Sequence, residues 1–177
     1  MADTVFVFDK DSRSVIIFNT ATKQFESRPV ADPTDQRPSQ SYGKRETLFP
    51  HNFQSCQLGP IPLVFMVGGG EFKTNNASLY ECHQLNFKSG AMCTLEKRAN
   101  MVYPRHGHSV CALSDAFMVV TGTRKDQNRA AHRVEMFDIE NNKWSELPMM
   151  REGRYYHASC SFQNEWIYVF CGISILK

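Results

Sequence analysis

Apolar residues in this chain come in short runs cut by Gly, Pro, Asn and Asp. Many are β-branched or aromatic, and no long amphipathic helical stripe occurs, which is an all-β pattern. The segment from Arg133 to Met150 is typical. Val134–Ile139 and Trp144–Leu147 are apolar-rich, and Glu140-Asn141-Asn142-Lys143 between them reads as a turn. Ser14 to Arg28 has the same plan. In both, an aromatic is followed seven residues later by another: Phe137 and Trp144, Phe18 and Phe25. The expectation is one antiparallel hairpin written twice.

A longer repeat surrounds it. Arg105 to Gly122 aligns with Arg154 to Gly172. Each opens R-x-x-H, with Arg105 and His108 in one and Arg154 and His157 in the other. Each continues with a strand of small residues, a polar turn (Ser114-Asp115; Gln163-Asn164-Glu165), and a strand of large apolar residues ending at glycine. The offset is 49 at the histidines and 50 at the glycines, a one-residue slip at the turn. Further back, Pro62 to Gly70 takes the place of the second strand. Ser78 to Leu95 takes the place of the hairpin, with Leu85 for Phe137 and Met92 for Trp144. Each unit therefore reads as four strands, a to d, with a period of roughly fifty residues.

This pattern resembles the kelch-repeat β-propeller family. The residues that carry the resemblance are Gly68-Gly69 after an apolar strand, Phe137-Asp138 with Trp144, the Leu147-Pro148-Met149-Met150 tail and the R-x-x-H openings. It covers most of 53–173, and 5–28 more weakly. It departs at Thr121-Gly122 and Cys171-Gly172, where the family has two glycines; the unit at 53–95 lacks the aromatic pair and the R-x-x-H opening. The implied fold is all-β, an incomplete kelch-type β-propeller of about three to four four-stranded antiparallel blade units. In sequence these are 1–28, a partial first blade (strands b, c, d); 53–96, a second; 97–150, a third; and 151–177, a partial fourth (strands a, b). Residues 29–52, with four prolines, read as an exposed linker loop or a partner-binding arm. Family rings close with more blades, so a further chain segment or a partner is expected to complete this one.

The motif has a physical reading. Paired glycines let another group lie against bare backbone. Trp144 is expected inside its blade, at the Gly122 end of strand b. Trp166 is expected to be partly exposed.

Composition narrows the function. The chain has 177 residues, a formal charge of +2, 21% charged and 42% hydrophobic residues. That suits a folded domain and argues against a strongly basic nucleic-acid binder. No apolar run is long enough to cross a bilayer. Asp3 and Asp9 in an N-terminus without a basic stretch argue against a signal peptide. Six cysteines occur at 56, 82, 93, 111, 160 and 171. Cys111, Cys160 and Cys171 fall in strand-like runs, so buried free thiols are expected rather than disulfides. Asn76-Ala77-Ser78 reads as a polar loop.

Candidate chemistry is sparse. His106 and His108 have a metal-capable spacing, but no acid or cysteine is arranged beside them. Cys82 and His83 would point to opposite strand faces. No metal site and no cofactor are expected. Arg105 and Arg154 are either ligand anchors or structural arginines pairing across blades. The b–c loop from Thr123 to Arg133 holds four basic residues and one acid. It is a solvated loop or a docking site for an acidic peptide. With Tyr103, Tyr155 and Tyr156 from the d–a links, it supplies the arginine and tyrosine of binding hot spots. The expected partner-binding residues are Arg124, Arg129, Arg154, Tyr155 and Tyr156.

No phosphate loop, nucleophile elbow or paired catalytic carboxylates occur, so the chain is not expected to be an enzyme. The resemblance implies a non-catalytic protein-interaction scaffold or adaptor, cytoplasmic or cytoskeleton-associated. Its partners would be other proteins, such as cytoskeletal or ubiquitin-ligase components, with no nucleic acid and no membrane. Ligase adaptors of the family carry a BTB region, which these residues do not contain. The alternative is a metal- or small-molecule-dependent propeller enzyme resembling galactose oxidase, whose His/Tyr copper site cannot be placed here.

Overall fold

The computed structural model describes residues 4–9, 13–31, 49–50, 52–59, 63–70, 78–89, 92–124 and 127–175. Among them are fifteen strands and no α-helix. In chain order they are β1 (Thr4–Asp9), β2 (Ser14–Asn19), β3 (Gln24–Ala31), β4 (Gln54–Leu58), β5 (Leu63–Val67), β6 (Cys82–Ser89), β7 (Met92–Lys97), β8 (Ser109–Ala112), β9 (Phe117–Thr121), β10 (Val134–Asp138), β11 (Lys143–Leu147), β12 (Arg154–Tyr155), β13 (Ala158–Phe162), β14 (Trp166–Phe170) and β15 (Ile173–Ser174). A short 3-10 helix spans Gln127–His132. No helix among the described residues is long and apolar enough to cross a membrane.

The chain divides into two compact units. The smaller contains Met1–Phe49 and Leu85–Glu96. Its strands run in the order β1-β2-β3-β7, followed by the Leu85–Ser89 part of β6. β1, β2 and β3 form an antiparallel meander in which Val5, Phe18 and Phe25 lie in one cross-strand row. β3 reaches Ala31, three residues into the segment read as a linker. Its end pairs parallel with β7, Val30 opposite Cys93, and both side chains are buried. A proline is tolerated there because Pro29 sits near the strand end, where Val30 N–H turns instead to the Arg13 carbonyl. The rest of that segment, 32–48, lies outside the described residues. Phe49 is buried, edge-on to Phe8, and Phe6 packs on Phe87. Met92, expected in the place of Trp144, is exposed instead.

The larger unit contains Pro50–Gln84 and Lys97–Lys177. β4 pairs with β5, and the first residues of β6 run beside β5. β8 to β11 form a separate four-stranded antiparallel sheet in the order β11-β10-β9-β8. β13 and β14 form a hairpin, and β12 pairs with β15, a pairing the sequence did not announce. The sheets stack face to face. Cys56, Leu58, Phe65, Val67 and Cys82 from one side meet Met118, Val120, Phe137 and Trp144 from the next sheet in a single hydrophobic core. The opposite face of that sheet carries Ser109, Cys111, Val119 and Thr121. It meets the Ser159 side of β13, where the Ser109 and Ser159 hydroxyls are 2.7 Å apart.

Trp144 is buried as expected, but not where expected. It lies opposite Phe137, which lies opposite Met118 at the start of β9, the end remote from Gly122. The rings of Phe137 and Trp144 are 4.9 Å apart, and the indole N–H donates to the Ala99 carbonyl at 2.8 Å. Phe137 sits edge-on to Phe65 of the preceding sheet, in the same core cluster as Trp144. All six cysteines are free. Four are buried as expected, whereas Cys160 and Cys171 are exposed: Cys160 lies on a face of the β13–β14 hairpin that no other described residue covers, and Cys171 lies just past that hairpin.

Candidate interaction site

The R-x-x-H segments are joints between successive sheets. Gly68 has a left-handed φ of +57°, and a Cβ there would lie 2.7 Å from the Arg105 carbonyl oxygen and 2.8 Å from His108 Cε1. Gly69 N–H donates to the same Arg105 carbonyl at 2.8 Å. The next joint repeats this. Gly122 (φ +69°) sits under the Arg154 carbonyl and the His157 ring, and Thr123 N–H donates to Arg154 O at 3.2 Å. The bare glycine backbone thus receives the next repeat's arginine carbonyl and histidine ring, not the indole the sequence suggested. Only glycine fits, because a side chain would meet backbone atoms and would strain at that φ.

Arg105 is completely buried. Its Nε and Nη2 donate to Glu135 Oε1 at 3.0 and 2.8 Å, and Nη1 donates to the Gly122 and Arg133 carbonyls. Glu135 also accepts from Val102 N and Tyr103 N. The expected pairing across blades is therefore corrected: Arg105 ties strand ends within its own sheet. Burial pulls its pKa below the usual arginine value and Glu135 opposes that. A buried guanidinium with this many partners is structural, and no ligand can reach it.

Glu135 was missed by sequence reasoning. The available signal was parity: Glu135 and Phe137 share one strand face, so a core-facing Phe137 implies a core-facing acid that needs a cation. His106 is also buried, its Nδ1 2.7 Å from the Ser78 hydroxyl. It lies before β8 (Ser109–Ala112), not in a strand. His157 Nε2 is 2.7 Å from the Thr121 hydroxyl. At the equivalent place the buried His108 ring meets the Val67 backbone instead of a side-chain hydroxyl. Burial, helped by Arg105, pushes the His108 pKa down to about 3. Burial with the Arg154 and Arg105 charges pushes His157 down to about 4. No group of three His, Cys, Asp or Glu among the described residues is placed to hold a metal ion.

Several of the expected partner-binding residues do converge. Tyr156 N–H donates to the Gly107 carbonyl at 2.7 Å, and its ring lies against Gly107, whose missing side chain makes the room. Arg124 N–H donates to the neighbouring His106 carbonyl, and the Arg124 side chain leads out to solvent beside Gly107. Tyr155 stacks edge-on to Tyr156 at 5.2 Å. Tyr156 holds a left-handed φ of +53°, the conformation its repeat counterpart Gly107 adopts with glycine. A tyrosine there is strained, and half of it remains exposed. Arg154 adjoins them, but its guanidinium is engaged by the Cys171 carbonyl and Glu152. Arg129 lies in the 3-10 helix, and its side chain is outside the described ones. The b–c segment is not a simple solvated loop: Ala130 and Ala131 are buried, and Arg133 pairs with Glu146 at 2.7 Å.

The repeat geometry is matched by a family model, the kelch motif, over residues 104–151. This segment resembles a kelch repeat. It contains the Arg105–Glu135 pair, the Gly122 joint and the Phe137–Trp144 hairpin. The tRNA wybutosine-synthesizing protein 4 of Candida glabrata is 24% identical over 132 residues, which is 73% of this chain. The chain spans 18% of that relative's length, so the match concerns a small part of it.

Proposed function

We propose that this kelch-repeat chain is a non-catalytic protein-interaction scaffold of the cytoplasm or cytoskeleton. It engages an acidic partner segment through Arg124, Tyr155 and Tyr156, with Arg129 and Arg154 flanking. The observation that supports this reading most is the half-exposed Tyr156, held at a strained φ on Gly107 with Arg124 alongside. Backbone strain kept at a half-exposed aromatic is a mark of functional sites, and Tyr beside Arg is the chemistry of binding hot spots. A partner recovered by affinity capture is titrated against a variant with all five residues changed to Ala. Binding should weaken at least tenfold while the strand circular-dichroism signal persists. Unchanged binding by the folded variant sinks the assignment.

Two other readings can be tested on the same preparation. Stoichiometric copper or another transition metal in the purified protein would favour the galactose-oxidase-like enzyme. The relative's name raises tRNA as a ligand, which the near-neutral charge of the chain disfavours. A mobility shift with tRNA whose affinity falls steeply with salt would support it.

A further inference from the structure

Within the larger unit each sheet has a forward and a rear face. The forward face of β4 and β5 presents Cys56 opposite Phe65 and is buried against the rear face of the next sheet, Met118, Val120, Phe137 and Trp144. The forward face of β8 and β9 presents Cys111 opposite Val119 and is also buried. The β13–β14 hairpin repeats the pattern: Cys160 lies opposite Tyr168, Phe162 opposite Trp166 and Ala158 opposite Phe170. All six of these side chains are exposed. No charged residue interrupts them. This is a forward face that no other described residue covers.

The smaller unit shows the complement. Phe18 opposite Phe25 repeats Phe137 opposite Trp144, and Val5 lies opposite Phe18 as Met118 lies opposite Phe137. Val7 and Ile16 repeat Val120 and Glu135 by the same register. This is a rear face, and Val5, Val7 and Phe25 on it are exposed. Among the described residues, one chain therefore carries an exposed forward face and an exposed rear face, of the two kinds that stack in the larger unit.

We propose that the forward face of the β13–β14 hairpin is a docking surface for a second copy of this chain, which seats the rear face of its β1–β3 meander there. Tyr168 takes the role of Phe65 and the second copy's Phe18–Phe25 pair that of Phe137–Trp144. The four half-exposed rings offer roughly 400 Å², about half of what one partner buries in a stable complex before smaller side chains are counted. The interface is head-to-tail, so assembly continues to a ring or a chain. It uses residues distinct from the Tyr156 site.

Sedimentation equilibrium of the full chain tests this together with two variants, Tyr168→Lys and Phe25→Lys. The unaltered chain should gain mass with concentration to the dimer and beyond. Each variant alone should stay monomeric, because each has lost one of the two faces. An equimolar mixture of the variants should give a 1:1 complex and stop there, since each supplies the face the other keeps. An unaltered chain that stays monomeric overturns the proposal, as does a variant that still dimerises alone or a mixture that stays monomeric. If a lysine variant loses its strand signal, Trp166→Gln and Val5→Gln replace the pair under the same criteria.

Discussion

The hairpins β2–β3 and β10–β11 are the same object in two settings. Each has a four-residue turn closed by an amide or carboxylate. Asn19 Oδ1 accepts from Ala21 N and Thr22 N; Asp138 accepts from the Asn141 backbone and side chain. Each turn ends on a residue with left-handed φ, Lys23 in one and Asn142 in the other. Each stacks its aromatic pair directly across the strands, at 4.5 and 4.9 Å. Yet Phe25 is 72% exposed and Trp144 only 7%. Local sequence builds the hairpin; a neighbouring sheet decides whether its aromatic pair becomes core.

The largest expected effect lies at that difference. Trp144→Ala should cost about 3–5 kcal/mol, since the indole leaves a cavity against Phe65 and Phe137 and strands the Ala99 carbonyl. Phe25→Ala, the matched change, should cost under about 1 kcal/mol in the monomer. Trp166→Ala, at 59% exposure, should resemble Phe25→Ala. Denaturant midpoints at protein concentrations too low for association check all three, and equal losses at Trp144 and Phe25 would break the comparison.

One row along the same strands, Glu135 stands where the other hairpin has Ile16. Glu135→Gln should cost about 3 kcal/mol, because Arg105 stays buried with its charge uncompensated. A loss below 1 kcal/mol would mean that backbone carbonyls alone satisfy the guanidinium.

Histidine separates the two regions again: the smaller unit contains none, and the larger buries His108 and His157. Their folded pKa values lie below the unfolded value near 6.5, so the unfolded chain binds more protons in acid. Stability is full above about pH 6.5 and falls as pH drops toward the folded values of about 3 and 4. His108 by itself should cost about 2 kcal/mol between pH 7 and pH 5. His108→Gln should flatten the profile of midpoint against pH. An unchanged slope would place the acid sensitivity elsewhere.

The smallest effects should be the most alike. Asn19→Ala and Asp138→Ala remove bonds made inside each hairpin, at exposed positions, so both should lower the thermal midpoint slightly and by similar amounts. A much larger loss at Asp138 would show that burial of the aromatic pair strengthens the turn.

Much of this arrangement was legible in the sequence. Aromatic spacing, turn residues and the recurring R-x-x-H and glycine positions depend on contacts within a few residues or on the repeat itself. The strands and the four-stranded order of β8 to β11 follow from them. What filled the glycine notch was not legible, since the Arg154 carbonyl and His157 ring arrive from the next repeat and backbone atoms leave no trace in residue type. The partner of Arg105 was hidden for the same reason: Glu135 is thirty residues away and only strand parity aims it inward.

The sequence by itself determined that the chain is all-β, where its hairpins turn and which side chains share a face, because period-2 alternation and turn chemistry are local. Only the tertiary structure decided which of those faces are covered. Phe18–Phe25 and Phe137–Trp144 carry the same pattern, and burial is a property of what packs against a face rather than of the residues on it.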